Sequence, residues 1–451
     1  MKRETVKTLV LALLVIVSLY LTWNIWTFQP SLDPIENMKY LESKPLTEEE
    51  REIGEVVKPQ QVFYHGGDSH YNADSKADDI WESLAKWKLE DSRDVSNSKT
   101  FSSKTKFLNF VSGLDGQKKL ELIFSQTIPV ETFQSILDWN SKTVKNQAFD
   151  RIVVPFDRVK TPKLYFISYK NQKVLEVNLN NDITQLSGKY FSSLNEYDRY
   201  FTWQVNKDCI VMLPEKNPLF SRQSFSMGTF SADKFKQALF NNPSYVTSGA
   251  SGSQTVYTDG QRRMVYDSDR GSMRFTDNNG LKRTEAGTGL SKIMTQSIDY
   301  LNSRGGWTDT DEYVFFSHTK DLEITLRMTL NGMPIFASFE PPLLKTTITQ
   351  NWGSTDVLSY EHPIFFRNYD SNPEPVKIES GAELIEMLEA SRGELRKDNL
   401  FRVFPAYELS RSTEDLIVVA EPAWYAETKS GNYLMIQDPR ILGGGSQNGL
   451  E

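Results

Sequence analysis

The chain has 451 residues, a formal net charge of −8 and one cysteine, Cys209. That length supports two or three ordinary domains, each burying its own core. The acidic balance excludes nucleic acid or a polyanionic wall polymer as the main ligand, because both demand basic surfaces, and the lone cysteine excludes an intrachain disulfide.

The first element is "KTLVLALLVIVSLYLTWNIWTFQP", Lys7 to Pro30. No charged side chain occurs from Thr8 to Leu32, and at about 1.5 Å rise per residue this run predicts a membrane-spanning helix over 8–29. It ends in Tyr20, Trp23, Trp26 and Phe28, whose rings favour a headgroup layer; no small-residue cleavage site and no lipidation cysteine follow. Lys2, Arg3 and Lys7 outweigh Glu4 in the tail 1–7, while Asp33, Glu36, Glu42 and "EEERE" lie beyond the run. The expectation is a cytoplasmic N-terminus and an ectodomain on the outer face of the cell membrane. A cysteine-poor outer domain points to a bacterial envelope protein.

Residues 30–60 carry proline, many charges and little apolar periodicity, which predicts a stalk. An N-terminal α+β domain is expected over 61–195. Its helices are "ADDIWESLAKWKLED", with Ile80, Leu84 and Trp87 on one face, and "TFQSILDWN", with Phe133, Ile136 and Leu137. Its strands are "KFLNFV", "KLELIFSQ", "DRIVVPF", "KLYFISY" and "VLEVNL". A middle α+β domain over 196–300 holds "YFTWQV", "CIVMLP", the helix "ADKFKQALF", a hairpin turning at Asp259-Gly260, and a helix ending at Gly305. A C-terminal α+β domain over 301–440 holds an Asn331-Gly332 turn, a helix with a capping box from Ser380 to Glu383 that stops at Gly393, and the strands "LFRVFPAYELSR" and "DLIVVAEPAWYAE". The middle and C-terminal domains repeat one order of hairpin, helix and return strands, so they are read as related folds. Residues 441–451 are a flexible tail. The fold class is therefore α+β: a single N-terminal transmembrane helix followed by a multidomain ectodomain of mostly antiparallel sheets with amphipathic helices.

Candidate chemistry is sparse. "HGGDSHYNAD" offers His65, Asp68, His70 and Asp74, but nothing in the pattern aims the two histidines at one metal, and a structural role is expected. Asp267 and Asp269 begin like a calcium loop that lacks its later ligands and glutamate, and a solvated turn accounts for them. His318 and His362 sit in strand-like runs without a visible partner, and Cys209 in "DCIVMLP" reads as a small buried hydrophobe. Ser231 and Lys234 form the S-x-x-K pair of serine-type penicillin-interacting enzymes, and Lys429-Ser430-Gly431 is like their third motif. Ser96 with Lys99 repeats the pair by chance, no Ser-x-Asn element lies between, and Ser231 is explained as a helix N-cap. No catalytic residue, cofactor site or metal site is assigned. In the apolar run, Thr8, Leu11, Val15, Ser18, Thr22 and Ile25 form one stripe that gathers three of its few hydroxyls. It is the candidate partner-facing seam, against the plainer reading that Ser18 and Thr22 bond their own backbone carbonyls.

The basic tail, the single anchor, "VYTDGQRRMVY", "LRMTLNGMPIF" and "VVAEPAWYAE" together resemble the YycH (WalH) family, along essentially the whole chain. The resemblance implies an extracytoplasmic regulator of the WalK/WalR two-component system of low-GC Gram-positive bacteria. It implies a three-domain ectodomain whose second and third domains share a topology with a partner regulator, YycI. It also implies contacts with the sensor histidine kinase through membrane helices, and no enzymatic activity. The expected function is a non-catalytic, membrane-anchored regulator of a WalK-type kinase. The alternatives are an envelope-facing module that captures a wall fragment, lipid or peptide, and a wall-modifying hydrolase.

Overall fold

The structure is a computed structural model. It describes residues 2–27, 44–134, 136–139, 147–156, 161–277, 289–308, 313–318, 322–337, 344–353, 356–370, 372–411 and 417–438. The chain divides into two compact units, Met1–Glu42 and Ser43–Glu451. The expected tail at 441–451 and residues 30–43 of the expected stalk lie outside the described residues.

In the first unit a helix runs continuously over Lys2–Thr27, so it begins inside the basic tail and not at residue 8. Leu11 to Trp23 are exposed along it. Among the described residues no helix is long and apolar enough to cross a membrane.

In the second unit the first lobe is a sheet whose described strands are β1 Gln61–Gly66, β2 His70–Asn72, β3 Lys88–Asp94, β4 Lys118–Pro129, β5 Asp138–Trp139, β6 Ala148–Pro155, β7 Lys163–Ser168, β8 Lys173–Leu179, β9 Arg199–Asn206 and β10 Cys209–Pro214. They lie in the order β10-β9-β2-β1-β4-β6-β7-β8-β3-β5, antiparallel except for β3 with β5. The β9–β10 hairpin, which the sequence assigns to the middle domain, is thus part of the first sheet. It joins through the pair His70↔Tyr200, a non-local contact that periodicity does not report. One face buries Trp81, Phe124, Phe133, Phe149 and Phe166, with Phe133 and Phe149 centroids 4.6 Å apart in an edge-to-face pair.

Three local expectations change. "KFLNFV" is helical, Lys104–Val111, because Ser103 caps it through the Lys106 N–H at 3.3 Å and the helix buries Phe107, Leu108, Phe110 and Val111 together. "ADDIWESLAKWKLED" is helical only over Ala77–Ala85; the chain then turns so that Trp87 is buried and Leu89 enters β3. "TFQSILDWN" keeps one helical turn, Val130–Phe133, after which Trp139 pairs with Leu89 in β5.

The second lobe is a larger, mostly antiparallel sheet. Strands assigned to the middle and C-terminal domains interleave in it: Ser272–Asp277 pairs with Val357–Pro363, and Leu219–Thr229 pairs with both Ile417–Thr428 and Phe365–Asp370. Among its described pairs Met333–Ala337 runs parallel to Leu400–Arg411. Local signals are met where turn chemistry is strong. Gly260 turns the hairpin at φ +92°, Asn331 and Gly332 are both left-handed, and Ser380 and Glu383 exchange both capping-box bonds. The last helix ends at Ala390, one turn before Gly393.

Helix Leu290–Arg304 closes on Gly305 at φ +66°, where the left-handed region admits glycine without penalty. The Thr47 backbone lies where a Gly305 side chain would stand. Around that point the second half of the expected stalk is a strap packed on the end of helix Leu290–Arg304 and the residues that follow it. The Leu46 N–H donates to the Arg304 carbonyl at 3.0 Å, Thr47 Oγ1 to the Gly305 and Trp307 carbonyls, and Asn302 exchanges bonds with the Arg51 backbone at 3.0 and 3.1 Å. Val56 and Val57 are fully buried. These single contacts have no periodicity, so composition alone reads as linker.

Candidate functional site

The ladder between β4 and β6 slips between Ile123 and Ile128, and β1 stops pairing at Ile123. A slip of this kind leaves backbone groups outside the ladder, and buried groups must find other partners. The second lobe supplies them. Arg402 donates from Nη1 to the Phe124 carbonyl at 2.7 Å and from Nη2 to the Ser125 carbonyl, and His318 Nε2 lies 3.1 Å from the Thr127 carbonyl. Arg402 is buried and also binds Glu427, with Nε to Oε2 at 2.9 Å. Burial disfavours its cation, but Glu427 overrides that and holds the guanidinium above its ordinary value.

Beside this seam the first lobe carries a second buried ionic group. Glu121 binds Arg151, and its Oε2 lies 3.1 Å from His65 Nε2. Burial pushes the Glu121 carboxyl up, yet Arg151 and then His65 outweigh it and keep it low. Arg151 stacks on Tyr169 at 3.9 Å, and the Tyr169 N–H donates to Asp150, whose carboxyl burial pushes up. Lys119, fully buried, reaches Asp115 at 2.6 Å and the Phe110 carbonyl.

His65 and His70 face each other across the β1–β2 hairpin, Nδ1 to Nδ1 at 2.8 Å. A hairpin therefore aims them, contrary to the sequence reading. One Nδ1 must donate and the other accept, so the pair shares one proton on that line and resists a second. Burial, then the His65 charge, lowers the His70 pKa to about 4. Gly113 permits the packing: it adopts φ +71°, and a Cβ there would stand 2.5 Å from the His65 ring. Asp74 is held by the Val62 N–H at 2.6 Å and Asn72 at 2.7 Å, and burial raises its pKa to about 6. Among the described residues no cluster of His, Cys, Asp and Glu is arranged to hold a metal.

The remaining sequence candidates separate. Ser231 Oγ accepts from the Lys234 N–H at 3.4 Å as a helix cap, and Lys234 lies over Phe230. Lys429, Ser430 and Gly431 border a cavity of about 520 Å³ between the lobes, together with Asp150, Arg402 and Glu427; its lining includes neither Ser231 nor Lys234. Ser96 binds Asp94 at 2.6 Å and accepts the Val174 N–H. Asp267 accepts from Gln254 and from the Asp269 and Arg270 N–H groups, and is itself buried. His362 is buried between the Gly306 and Pro363 carbonyls. Cys209 is buried, donates to the Phe401 carbonyl at 2.9 Å, and has its thiol pushed up to about 12 by burial.

On the N-terminal helix Leu11, Val15, Ser18 and Thr22 of the stripe are exposed; the side chains of Thr8 and Ile25 lie outside the described residues. Thr22 Oγ1 donates to the Ser18 carbonyl at 2.9 Å, the plainer of the two readings for that hydroxyl. The sequence reading missed the Arg402–Glu427 seam. Its one signal was the polar "SQT" that follows the apolar "LIF" in β4.

The chain matches the YycH protein N-terminal domain over residues 4–189 and the YycH protein C-terminal domain over residues 209–437. It is 30% identical over 475 aligned residues, covering 100% of both chains, to the two-component system WalR/WalK regulatory protein YycH of Bacillus subtilis (strain 168). The crystal structure of YycH from Bacillus subtilis superimposes with a TM-score of 0.76 at 24% identity, covering 88% of this chain and 100% of that one. That likeness shows a shared α+β fold.

Proposed function

We propose, for a chain that belongs to the YycH family, a non-catalytic, membrane-anchored regulator of a WalK-type sensor histidine kinase controlling cell-wall homeostasis. The observation that carries this reading is full-length similarity to a WalR/WalK regulatory protein. The anchor is the charge-free run within the helix Lys2–Thr27, with the basic tail in the cytoplasm and the two-lobed unit on the outer face. A YycI-type regulator completes the assembly through membrane-helix and ectodomain contacts.

In lipid, helices associate through close packing and interhelical hydrogen bonds. The stripe of Thr8, Leu11, Val15, Ser18, Thr22 and Ile25 is the surface for such packing. It shifts the kinase only if its contacts differ between the active and inactive states, since a partner indifferent to state shifts nothing. Ser231 is committed to a helix cap, which leaves the hydrolase reading without support. The cavity of about 520 Å³ between the lobes favours a second reading, in which the ectodomain also captures a ligand from the envelope.

The test is a response-regulator reporter in cells that lack the protein. Output should change several-fold on deletion and return with the full chain. Identical output with and without the protein, at verified expression, would contradict the reading.

A further inference from the structure

The larger sheet ends, among the described residues, in the edge strand Thr247–Ser251. All five residues of this strand are exposed, and its inner side pairs with Gln254–Thr258 without a shift of register. An open edge is a template for another strand, and proteins blunt such edges with charge, proline, a bulge or a cover. The edges of the first sheet follow that rule, since β10 is buried and β5 has only two residues. The strand Thr247–Ser251 does not. No charged residue occurs from Asn241 to Thr258, and the one proline of that stretch, Pro243, precedes the strand. Gly249 sits at its centre outside the left-handed region, where a Cβ would meet nothing within 4 Å, so neither strain nor packing within the chain calls for glycine. A glycine inside a strand weakens it and often marks the close approach of another backbone.

Backbone geometry fixes what this edge offers. The turn Gly252–Ser253 joins Ser251 and Gln254 as a hydrogen-bonded pair. In an antiparallel ladder such pairs alternate, so Thr247, Gly249 and Ser251 aim their N–H and C=O groups inward, and Ser248 and Ala250 aim theirs at the open side. An antiparallel strand that sets Gly249 opposite itself sets Ser248 opposite Ala250 and Thr247 opposite Ser251. The outward-facing residues then meet as hydrogen-bonded pairs, each exchanging both N–H···O=C bonds. The same register brings Tyr245, 69% exposed just before the strand, beside the turn of the other copy. Facing copies meet no like charge, and a partner chosen by charge finds none to recognise. Pairing about a two-fold axis occupies both edges and stops there, which protects a charge-free edge from further stacking.

We infer that a second copy of this chain docks on this edge, through antiparallel pairing of Thr247–Ser251 with itself about Gly249. The inference rests on the edge and is independent of the kinase reading. Five residues from each copy bury well under the roughly 1,000 Å² of a stable interface, so the pairing is transient and is read by covalent trapping. The experiment uses the full chain in detergent, oxidised with copper phenanthroline over a range of protein concentrations. Its natural cysteine, Cys209, is buried and contributes no background. Each single variant carries one further thiol, from Gly249→Cys, Thr247→Cys or Ser251→Cys. In the inferred register two Gly249 positions are about 4.5 Å apart, within disulfide range, whereas two Thr247 positions are about 13 Å apart. Ala250→Pro, added to Gly249→Cys, removes an outward N–H that the pairing with Gln254–Thr258 does not use.

Gly249→Cys should give a disulfide-linked dimer in about tenfold higher yield than Thr247→Cys or Ser251→Cys alone. Mixing Thr247→Cys with Ser251→Cys should restore the dimer, because those two positions face each other. Ala250→Pro should lower the Gly249→Cys yield about tenfold at an unchanged thermal midpoint. Equal yields from the three single variants would mean random collision and overturn the inference. So would a Gly249→Cys chain that stays monomeric at every concentration, which would leave the edge to a different protein, and so would a yield that Ala250→Pro does not lower.

Discussion

Gly113 illustrates how one residue fixes the chemistry of its neighbours. Its φ of +71° and the 2.5 Å approach of the His65 ring mean that Gly113→Ala adds backbone strain to overpacking. The expected cost is roughly 2–4 kcal/mol, measured by urea unfolding, and a loss below about 1 kcal/mol would show that the ring can move aside. The groups around it make opposite contributions to pH dependence. His70 titrates near 4 in the fold against 6.5 when unfolded, so its contribution is present above 6.5 and is lost as pH falls toward 4. Asp74 titrates near 6 against 3.8, so stability falls as pH rises through that interval. The difference in stability between pH 6.5 and 4.5 should therefore shrink in His70→Gln and grow in Asp74→Asn. Shifts of the same sign in both variants would contradict the assignment. The sequence displayed both histidines five apart, but their meeting depends on Gly66 to Ser69 acting as a hairpin turn, and one glycine pair did not distinguish that from a loop.

At the level of elements, legibility followed turn and cap chemistry. Gly260, Asn331-Gly332, Gly305 and the Ser380–Glu383 box each name a local geometry that few residues satisfy, and each is found. "KFLNFV" failed because six apolar-rich residues fit a strand or a buried helix equally; Ser103, one residue before the helix, decided it. The strap at 44–57 was invisible because it is held by caps and single hydrogen bonds to Asn302, Gly305 and Trp307. The N-terminal helix belongs to this scale as well. Interhelical hydrogen bonds in membranes contribute about 0.5–1.5 kcal/mol each, so changing Ser18 and Thr22 together to Val should alter kinase output several-fold. Changing Leu14 and Leu21 to Val keeps the run apolar and should alter output less. A response-regulator reporter at matched protein levels makes the comparison, and equal output from the two double variants would show that the stripe is not the seam. Because Thr22 Oγ1 already donates to the Ser18 carbonyl, it can serve a second helix only as an acceptor unless that bond is given up.

Across the whole molecule, the two lobes of the second unit are joined by a polar seam at an irregularity in β4. Arg402 takes the Phe124 and Ser125 carbonyls and Glu427 together, so Arg402→Met strands a buried carboxylate and two backbone acceptors. Removal of one partner from such a group costs about 3–5 kcal/mol, and the loss should appear in thermal unfolding as a lower midpoint. A variant as stable as the native chain would mean that the lobes are held by their apolar contacts alone. Non-local pairings of this kind, like the interleaving of Ser272–Asp277 with Val357–Pro363, arise from topology and leave no periodic trace. The family strings lie in the strands that build this architecture, which is why the family was legible and the seam was not. The regulatory account rests most directly on contact between the N-terminal helix and a kinase. A photo-crosslinking residue placed in turn at Leu11, Val15, Ser18 and Thr22, and at Leu14 and Leu21 as controls, measures that contact in living cells. The account predicts that the first four positions yield an adduct identified by mass spectrometry as a WalK-type histidine kinase and that the controls yield little. Adducts to lipid alone from all six positions, or equal kinase adducts from every position, would contradict it.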